Sequence, residues 1–248
     1  MPLRILLNGA QGRMGRAILA ATEETPDVLV ARQLDANDPL TDAAFDNIDV
    51  AIDFSSHDAT LALVQAAARR RVPLVIGTTG HSESERAAIL PFTAQTPVVW
   101  SGNYSLGVNL FNYLVKRAAT VLSSRYDVEI LEMHHRHKAD APSGTAGKLI
   151  EIIKNARALS EDDIVHGRSG LLGPRPDKQI GVHSLRGGDV IGDHTVIFAG
   201  DGERLELTHR ASQRAIFATG ALRAAQWLVR ENKPPGLYGM DDVLGLKD

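Results

Sequence analysis

No cysteine occurs among the 248 residues of the chain. Disulfides, thiolate nucleophiles and cysteine metal sites are therefore excluded. The sequence also lacks an apolar run of the roughly 18 residues that a membrane-spanning helix needs, and its first residues do not have the pattern of a signal peptide. We expect a cytoplasmic protein that has no membrane partner.

An excess of charge of one sign is also missing. The formal net charge is −3, and no block of like charges is longer than Arg69–Arg71. This balance provides no general attraction to nucleic acid and no basic arm, so we expect no nucleic-acid partner. Hydrophobic residues make up 44% of the chain, which is enough for the core of one large domain or of two modest ones.

Up to about residue 104, short apolar runs alternate with segments of helical composition. The predicted strands are Leu3–Leu7, Val28–Leu34, Ile48–Phe54, Pro73–Ile76 and Pro97–Trp100, and the predicted helices are Ala17–Glu24, Ala59–Arg70 and Glu83–Phe92. Short strands of buried type that alternate with helices predict an α/β fold with a parallel, doubly wound sheet.

The pattern changes near residue 105. A long helix, about Val108–Leu122, precedes a strand at Tyr126–Met133 and a second helix that begins near Ser143. Three later runs have strand character and no helix between them: Gln179–Leu185, Thr195–Ala199 and Arg204–Arg210. Together with the Tyr126 run they predict a mixed or antiparallel sheet, and hence a second, α+β domain.

The last predicted helix, Arg214–Arg230, has an alanine-rich face that would suit packing on the first domain. We therefore assign residues 1–105 and 214–248 to one domain. Residues 106–213 form the other.

A glycine-rich turn joins the first predicted strand to the first predicted helix. It reads Gly9-Ala10-Gln11-Gly12-Arg13-Met14-Gly15, which is a G-x-x-G-x-x-G spacing. Glycines at these positions would let the backbone approach a pyrophosphate, whose charge a helix N-terminus favours. Asp35 stands 20 residues after Gly15, where a carboxylate can hold the hydroxyls of an adenine ribose. A dinucleotide site is the favoured interpretation, and a tight structural turn is the alternative.

Two more polar segments follow predicted strands of the same sheet. They are Gly77-Thr78-Thr79-Gly80 and Ser101-Gly102-Asn103-Tyr104. Ligands of doubly wound sheets bind at the carboxyl edge of the strands, where both segments would lie. Either segment, taken alone, could be an ordinary loop.

The densest group of ionisable side chains runs from His134 to Lys138 and contains three histidines, an arginine and a lysine. We place this group in a loop between the Tyr126 strand and a helix that is capped by Ser143 or Thr145. Cationic side chains on one side and free N–H groups of a helix start on the other would receive an anion. A small molecule with more than one carboxylate fits this description.

Three other interpretations compete for the histidine loop. His134 and His135 could point to opposite faces of a strand end, with one of them buried and hydrogen-bonded. A metal could bind to the three histidines and Asp140, but the arginine and the lysine of the loop would repel a cation, and we expect no metal. The group could also be a solvated basic face.

The two candidate sites together favour an oxidoreductase. The first domain would present a nicotinamide, and the second would hold an anionic acceptor. Protonation must accompany hydride delivery, and a histidine is a suitable acid near pH 7. A lysine would supply fixed positive charge or a second proton.

The motifs of this chain resemble those of the bacterial 4-hydroxy-tetrahydrodipicolinate reductases, also called dihydrodipicolinate reductases. The motif on which the resemblance mainly rests is Glu132-Met-His-His-Arg-His-Lys-Ala-Asp-Ala-Pro-Ser-Gly-Thr-Ala. Four further motifs support it: Gly12–Gly15, Val75–Gly80, Asn103–Asn109 and Arg186–His194. The resemblance extends in order over nearly the whole chain.

The resemblance implies hydride transfer from NADH or NADPH to a cyclic, unsaturated dicarboxylate in diaminopimelate and lysine biosynthesis. The product would be tetrahydrodipicolinate, formed with loss of water. His134 would be the proton donor, and Lys138 its cationic partner. The implied substrate-binding residues are His135, Ser143, Gly144 and Thr145. The implied cofactor-binding residues are Gly9, Ala10, Gln11, Gly12, Arg13, Met14, Asp35, Gly77, Thr78, Thr79, Ser101, Gly102, Asn103 and Tyr104.

The resemblance also implies an architecture. Residues 1–105 and 214–248 would form a Rossmann-like dinucleotide-binding domain that the C-terminal helix completes. Residues 106–213 would form a substrate-binding domain whose sheets assemble a homotetramer.

The sequence departs from the family pattern in two places. The chain is short between about Asp35 and Ile48, which leaves the strand count of the first sheet open. The other departure directly follows the second strand. Many members have an arginine there that meets the 2′-phosphate of NADP, whereas this chain has Asp35-Ala36. Asp35 would repel that phosphate, and Arg13 is the nearby cation that could compensate. We predict that NADH is used at least as well as NADPH.

Two rival functions remain open from the sequence. One is a related two-domain amino-acid or hydroxy-acid dehydrogenase, such as an aspartate dehydrogenase. The other is a nucleotide-sensing regulator without turnover, which need not retain both a proton donor and a carboxylate site.

Overall fold

The computed structural model describes residues 1–122 and 124–247. The chain divides into two compact units. The first comprises Met1–Leu106 and Arg214–Asp248, and the second comprises Gly107–Gln213. The functional roles that the sequence assigns to these parts of the chain remain predictions.

Strands and helices alternate over the first hundred residues of the first unit. The strands are β1 (Leu3–Asn8), β2 (Val28–Leu34), β3 (Val50–Asp53), β4 (Leu74–Ile76) and β5 (Pro97–Trp100). The helices are α1 (Arg13–Glu23), α2 (His57–Arg70) and α3 (Glu83–Ile89). The short stretch between β2 and β3 contains a single 3₁₀ turn, Asp42–Phe45.

Two helix boundaries differ from the sequence prediction by more than two residues. α1 begins at Arg13, earlier than predicted, because Gly12 takes the extended conformation of an N-cap directly after the glycine turn. α3 ends at Ile89, and Leu90–Ala94 form a 3₁₀ helix with a proline at its start. Pro91 has no N–H group, so it cannot continue the α-helical hydrogen bonds.

The second unit contains two long helices and five strands. The helices are α4 (Leu106–Val121) and α5 (Gly144–Arg157). The strands are β6 (Asp127–His134), β7 (Ile164–His166), β8 (Ile180–Arg186), β9 (Gly192–Gly200) and β10 (Glu203–Ala211). The sequence did not predict β7.

The end of the chain returns to the first unit. It forms α6 (Ala215–Arg230), β11 (Gly236–Tyr238) and α7 (Met240–Val243). Alanines and leucines of α6 pack in one buried cluster with β1 and α1. The sequence did not predict β11 or α7.

The six strands of the first unit form one parallel sheet in the order β11-β5-β4-β3-β1-β2. The chain crosses from one side of β1 to the other between β2 and β3. The carboxyl ends of β1 and β3 therefore flank the point at which ligands of such sheets bind. Both faces are covered: Ile5 and Leu7 lie in the cluster with α1 and α6, and Leu6 lies in the cluster with α2.

The sheet of the second unit is mixed, in the order β10-β9-β6-β8-β7. β6, β8 and β7 are parallel, whereas β9 is antiparallel to both β6 and β10. Along β6, buried and partly exposed residues alternate strictly. Val128 and Ile130 pack in a cluster with α4 and α5, so Glu132 and His134 point to that same face. The predicted fold class, a Rossmann-like parallel sheet and a second, mixed sheet, is confirmed.

Within residues 1–122 and 124–247, no helix has both the length and the apolar character that a bilayer crossing requires.

Candidate active site

His134 lies at the carboxyl end of β6, and only 7% of its surface is exposed. The prediction that the whole His134–Lys138 group lies in a loop was wrong for His134, because this residue pairs with Arg186 of β8 and extends the strand. The side chain of Glu132 hydrogen-bonds Nδ1 of His134. An ionised carboxylate can only accept, so Nδ1 carries the hydrogen of this bond and Nε2 is the nitrogen left for proton exchange.

The side chain of Glu132 is fully buried and is held from the other side by Arg186. Nη1 of Arg186 lies 3.0 Å from each carboxylate oxygen, and Nη2 donates to the backbone oxygen of Asp140 at 2.6 Å. Burial raises the pKa of Glu132, but hydrogen bonds from Ser184, His134 and Arg186 outweigh burial and keep the pKa below its ordinary value. Glu132 is therefore ionised at neutral pH.

A second buried histidine, His194 of β9, packs edge to face against His134 with ring centroids 5.1 Å apart. Its Nε2 lies 2.9 Å from Oγ of Ser143. Burial, reinforced by the charge of His134, lowers the pKa of His194 to about 4. His194 is therefore neutral near pH 7, and it adds no second positive charge beside His134. The sequence did not single out His194, because its position depends on the pairing of β9 with β6.

Lys138 lies in the turn that follows β6, where its N–H donates to the backbone oxygen of His135 at 3.1 Å. Nζ of Lys138 is 2.8 Å from both carboxylate oxygens of Asp140. The hydrogen bond from Lys138 lowers the pKa of Asp140. Lys138 is therefore fixed close to the histidine motif by an exposed ion pair.

The start of α5 presents a candidate anion site. Ser143 is the N-cap, and its Oγ accepts a hydrogen bond from the N–H of Ala146 at 3.2 Å. The hydroxyl of Ser143 is thus engaged by the helix and by His194. Gly144 and Thr145 are the first helical residues, and no atom lies within 4 Å of where a side chain at Gly144 would be. Their N–H groups lie at the positive end of the helix dipole, which favours an anion.

A cavity of about 650 Å³ adjoins the same motif. Its walls include His135, Arg136 and His137 of the loop and Gly188 and Asp189 from the turn after β8. The loop and the turn are connected, since the N–H of Arg136 donates to the backbone oxygen of Gly188 at 3.2 Å. The histidine loop is therefore both cationic and accessible to a small molecule.

The geometry does not favour the metal alternative for this loop. Among the described residues, only His57, Asp58 and Glu85 of the first unit bring three possible ligand atoms within 4.8 Å of one another. That group contains none of the loop residues, and its three side chains are already joined by ion pairs.

The glycine turn of the first unit fits a dinucleotide. Gly9 has φ +81°, and a Cβ there would lie 2.5 Å from the backbone oxygen of Phe54. A Cβ on Gly15 would lie 2.2 Å from the oxygen of Gly9, so only glycine permits this close packing. α1 then starts at Arg13 with Gly12 as its N-cap, and within the described chain no side chain caps it. The helix N–H groups thus remain available to a pyrophosphate.

Asp35 lies beside this turn. Its carboxylate accepts the N–H of Gln11 at 3.0 Å, and the N–H groups of Gly9 and Ala10 donate to the backbone oxygen of Leu34. The end of β2 therefore holds the turn in place. Asp35 stands where the sequence predicted a carboxylate for the ribose hydroxyls.

A buried carboxylate that the sequence analysis missed organises the neighbouring loops. Asp53, at the end of β3, is completely buried. Asn8 and Ser55 donate to one of its oxygens at 2.9 and 2.6 Å, and Thr60 and Thr78 donate to the other at 2.8 and 2.9 Å. Ser55 is two residues away in sequence, but Asn8 and Thr78 are 45 and 25 residues away, and no local sequence pattern connects them to Asp53. The side chain of Thr78 is consequently turned inward, whereas Thr79 is exposed.

The Ser101–Tyr104 segment follows β5. The hydroxyl of Ser101 donates to the backbone oxygen of Asn103 at 2.8 Å. The ring of Tyr104 is buried, with its hydroxyl 2.8 and 3.0 Å from the backbone oxygens of Ile76 and Val99. Tyr104 thus fixes the ends of two strands through its side chain.

The structure gathers the predicted residues into two groups, one in each unit. The turns after β1, β2, β4 and β5 carry the predicted cofactor residues, and β1 through β5 are neighbours in one sheet. The end of β6, the loop after it and the start of α5 carry the predicted catalytic and substrate residues. The roles of these residues remain predictions.

Two family models match almost the entire chain. The model for the N-terminus of dihydrodipicolinate reductase matches residues 3–104, and the model for the C-terminus of dihydrodipicolinate reductase matches residues 107–244.

Individual relatives agree with the family models. The chain is 55% identical to the 4-hydroxy-tetrahydrodipicolinate reductase of Akkermansia muciniphila over 245 residues, which cover 98% of both proteins. It is 45% identical to that of Anaeromyxobacter dehalogenans over 267 residues, again covering 98% of both. Among solved structures, the dipicolinate-bound dihydrodipicolinate reductase from Paenisporosarcina sp. TG-14 superposes with a TM-score of 0.80. It is 24% identical and the match covers 98% of this chain and all of that one, which supports the fold.

Proposed function

The chain belongs to the dihydrodipicolinate reductase family, as its motifs predict, and we propose that it reduces 4-hydroxy-tetrahydrodipicolinate to tetrahydrodipicolinate with NADH or NADPH. In this reaction the substrate gains a hydride and a proton and loses water. The observation that carries the proposal is the buried Glu132–His134 pair within the same unit as an open helix start. Besides the hydride of the cofactor, the reduction of a dicarboxylate requires a proton donor and a site for the anion.

The first unit would hold the cofactor. The turn from Gly9 to Met14 and the start of α1 fit the pyrophosphate, and Asp35 fits the ribose. Further residues proposed to line the cofactor are Gly77, Thr78, Thr79, Ser101, Gly102, Asn103 and Tyr104. For Thr78 and Tyr104 we propose a contribution through the backbone, because their side chains are buried. The bound nicotinamide supplies the hydride.

His134 would protonate the substrate from Nε2. Its Nδ1 is held by Glu132, so the ring can lose and regain the Nε2 proton without turning. Lys138 would add a positive charge that stabilises negative charge developing on the substrate. The exposed ion pair with Asp140 is weak enough to be exchanged for a substrate carboxylate.

The dicarboxylate would lie between the loop and α5. We propose that the N–H groups of Gly144 and Thr145 bind one carboxylate, and that His135 contributes from the loop side. Ser143 would act through its capping hydrogen bond, which orders the helix start. N–H donors of this kind are already oriented, so they lose little freedom when an anion binds.

The sheet of the second unit supports a homotetramer. Its face opposite α4 and α5 carries Leu131, Met133, Leu185 and Ile197, and no helix of that unit covers them within the described residues. Leu185 is 43% exposed. A second copy of the chain would cover this apolar surface. Light scattering tests the assembly, and a measured mass equal to that of a single chain, 26.7 kDa, would contradict it.

We further propose a cytoplasmic location, where reduced nicotinamide cofactors and the intermediates of lysine biosynthesis are produced. Fractionation of the source cells tests the location.

The proposed function is tested by a coupled assay. The unstable substrate is made in the cuvette from pyruvate and aspartate semialdehyde by the preceding synthase, and NADH absorbance is followed. We expect NADH consumption that is proportional to the amount of protein. Consumption equal to that of the protein-free control would contradict the proposal and favour the regulator. NADH formation from aspartate and NAD⁺, or NADH consumption with a 2-oxo acid with or without ammonia, would instead favour a related dehydrogenase.

A further inference from the structure

We propose that Glu132 is a positioning residue for the proton donor: its carboxylate, held by Arg186, fixes the His134 ring with Nδ1 protonated and leaves Nε2 to carry the transferable proton. The inference rests on the proposed function, because it assumes that His134 is the donor. It assigns a role to a residue that would not contact the substrate.

The first step of the argument is the burial of Glu132. A carboxylate with 0% exposure loses its hydration, and only a well-placed cation and hydrogen-bond donors can offset that loss. Arg186 provides the charge, with Nη1 3.0 Å from both oxygens. Its other nitrogen is fixed on the backbone oxygen of Asp140, so the guanidinium has a single orientation. Glu132 is therefore a fixed negative charge and cannot act as a mobile acid.

The second step concerns the two ring nitrogens of His134. Nδ1 is bound by Glu132, and the ring also packs edge to face on His194. The other ring nitrogen, Nε2, lies close to β9. A Cβ placed on Gly192 of that strand would be 3.0 Å from Nε2. These contacts determine the plane of the ring and the tautomer together. A carboxylate that orients a catalytic imidazole in this way acts on the same principle as the aspartate of a serine protease triad.

The third step concerns the charges that face His134. Glu132 from β6 is negative, Arg186 from β8 is positive and already paired with Glu132, and Lys138 from the loop is paired with Asp140. His194 from β9 has its pKa lowered to about 4, chiefly by burial, so it is neutral. Of these groups, Glu132 is the charged one that contacts the His134 ring. Removing that charge should make protonation of the ring less favourable.

The same strand contains a matched pair for comparison. Glu129 of β6 points to the opposite face and contacts Nε2 of His183 at 2.8 Å. It is also held by two arginines, Arg168 and Arg175. Glu129 thus has the same chemical partners as Glu132 but lies away from the proposed donor.

The kinetic test compares Glu132→Gln with Glu129→Gln and the unmodified protein in the coupled assay over a range of pH. Glutamine keeps the size of the side chain and removes its charge. We expect Glu132→Gln to lower kcat by about 10–100-fold with a much smaller change in KM. The alkaline limb of its kcat profile should move to lower pH, whereas Glu129→Gln should keep the position of that limb. If Glu132 had a purely structural role, Glu132→Gln would lower the amount of folded protein, and the alkaline limb of the kcat profile would stay at the same pH.

The second test needs no turnover. Nitrogen chemical shifts of ¹⁵N-histidine-labelled protein, assigned with His134→Gln, report the tautomer directly. We expect His134 to be protonated at Nδ1 when neutral, and we expect Glu132→Gln to populate the Nε2 tautomer and to shift the titration of this ring to lower pH. Absence of turnover in the unmodified protein would contradict the proposed function, while the nitrogen shifts would still decide the positioning role. An unchanged tautomer and titration in Glu132→Gln would overturn the inference.

Discussion

His134 and Lys138 are proposed to share the proton chemistry, but their surroundings differ. His134 is buried and is fixed through Nδ1 by a carboxylate that is itself held by Arg186. The Lys138 side chain is 19% exposed and pairs with an Asp140 side chain that is 62% exposed. A buried, oriented imidazole is suited to deliver a proton at one atom, and a lysine in a solvated pair is suited to respond to a substrate charge.

Replacing either residue by alanine tests this division. We expect His134→Ala to remain folded and to lower kcat by about 10²–10⁴-fold, because the general acid is removed. Lys138→Ala should reduce both kcat and the affinity for substrate, since it removes a charge that faces the anion. Initial rates in the coupled assay measure both effects, and circular dichroism monitors folding.

The matched control is His166→Ala, which changes an exposed histidine of β7 in the same unit. It should leave kcat unchanged. Normal turnover in both His134→Ala and Lys138→Ala would assign the histidine loop a structural role only.

Some residue positions could be predicted from the sequence and others could not. The histidine motif could be identified because ionisable side chains are concentrated there. The glycine turn could be identified because its glycines are regularly spaced and directly follow a predicted strand. Asp53 and His194 did not stand out. The partners of Asp53 are as far away in sequence as Asn8 and Thr78, and His194 reaches His134 only through the pairing of β6 with β9.

At the scale of elements, β6 organises the second unit. Its buried face carries the Glu132–His134 pair, and its other face carries Glu129, which is bound by Arg168, Arg175 and His183. The two arginines belong to the long stretch between β7 and β8. Glu129 therefore fastens this stretch to the sheet, and a one-residue shift of β6 would exchange the two faces.

The ion cluster around Glu129 should make the protein sensitive to acid. Burial raises the pKa of Glu129, but hydrogen bonds from Arg168, His183 and Arg175 outweigh burial and lower it from 4.5 to about 2. Because the pKa in the folded state lies below that in the unfolded state, the stabilisation is complete above pH 4.5 and is lost as the pH falls toward 2. We expect Glu129→Gln to lower Tm at pH 7 and to weaken the dependence of Tm on pH in that window.

Thermal unfolding at several pH values measures this effect. Glu83→Gln, which changes an exposed glutamate of α3, is the control and should follow the unmodified protein. Parallel Tm curves for Glu129→Gln and the unmodified protein between pH 2 and 4.5 would contradict the account.

The long elements were predictable because their patterns are strong. β2 and β5 have the predicted ends, and α5 starts directly after Ser143. β7 and β11 were missed because each has three residues that, unlike those of β4, do not form a fully buried apolar run, so that only pairing with β8 and β5 makes them strands. His134 was assigned to the loop for the same reason: its strand character comes from its partner Arg186 rather than from local sequence.

At the scale of the whole molecule, the chain combines a parallel sheet that has dinucleotide geometry with a mixed sheet that carries the proposed proton donor. We expect the choice between the two cofactors to be decided at the end of β2. Asp35 is fixed there by the N–H of Gln11, and Ala36 offers no charge to a 2′-phosphate. We expect kcat/KM with NADH to be at least equal to that with NADPH.

Asp35→Asn tests the cause of this preference. It removes the charge that would repel the 2′-phosphate, so the ratio of kcat/KM for NADPH to that for NADH should rise. Glu23→Gln, which changes an exposed glutamate at the last position of α1, is the control. A clear preference of the unmodified protein for NADPH would contradict the prediction.

The most direct test of the central claim follows the hydride. The substrate is generated in place, the reaction is run with NADH deuterated at both C4 positions of the nicotinamide, and the product is analysed by mass spectrometry. The account predicts tetrahydrodipicolinate that carries a single deuterium, formed in proportion to the cofactor oxidised. Oxidation of the cofactor with no deuterium in tetrahydrodipicolinate, or no oxidation at all, would contradict it.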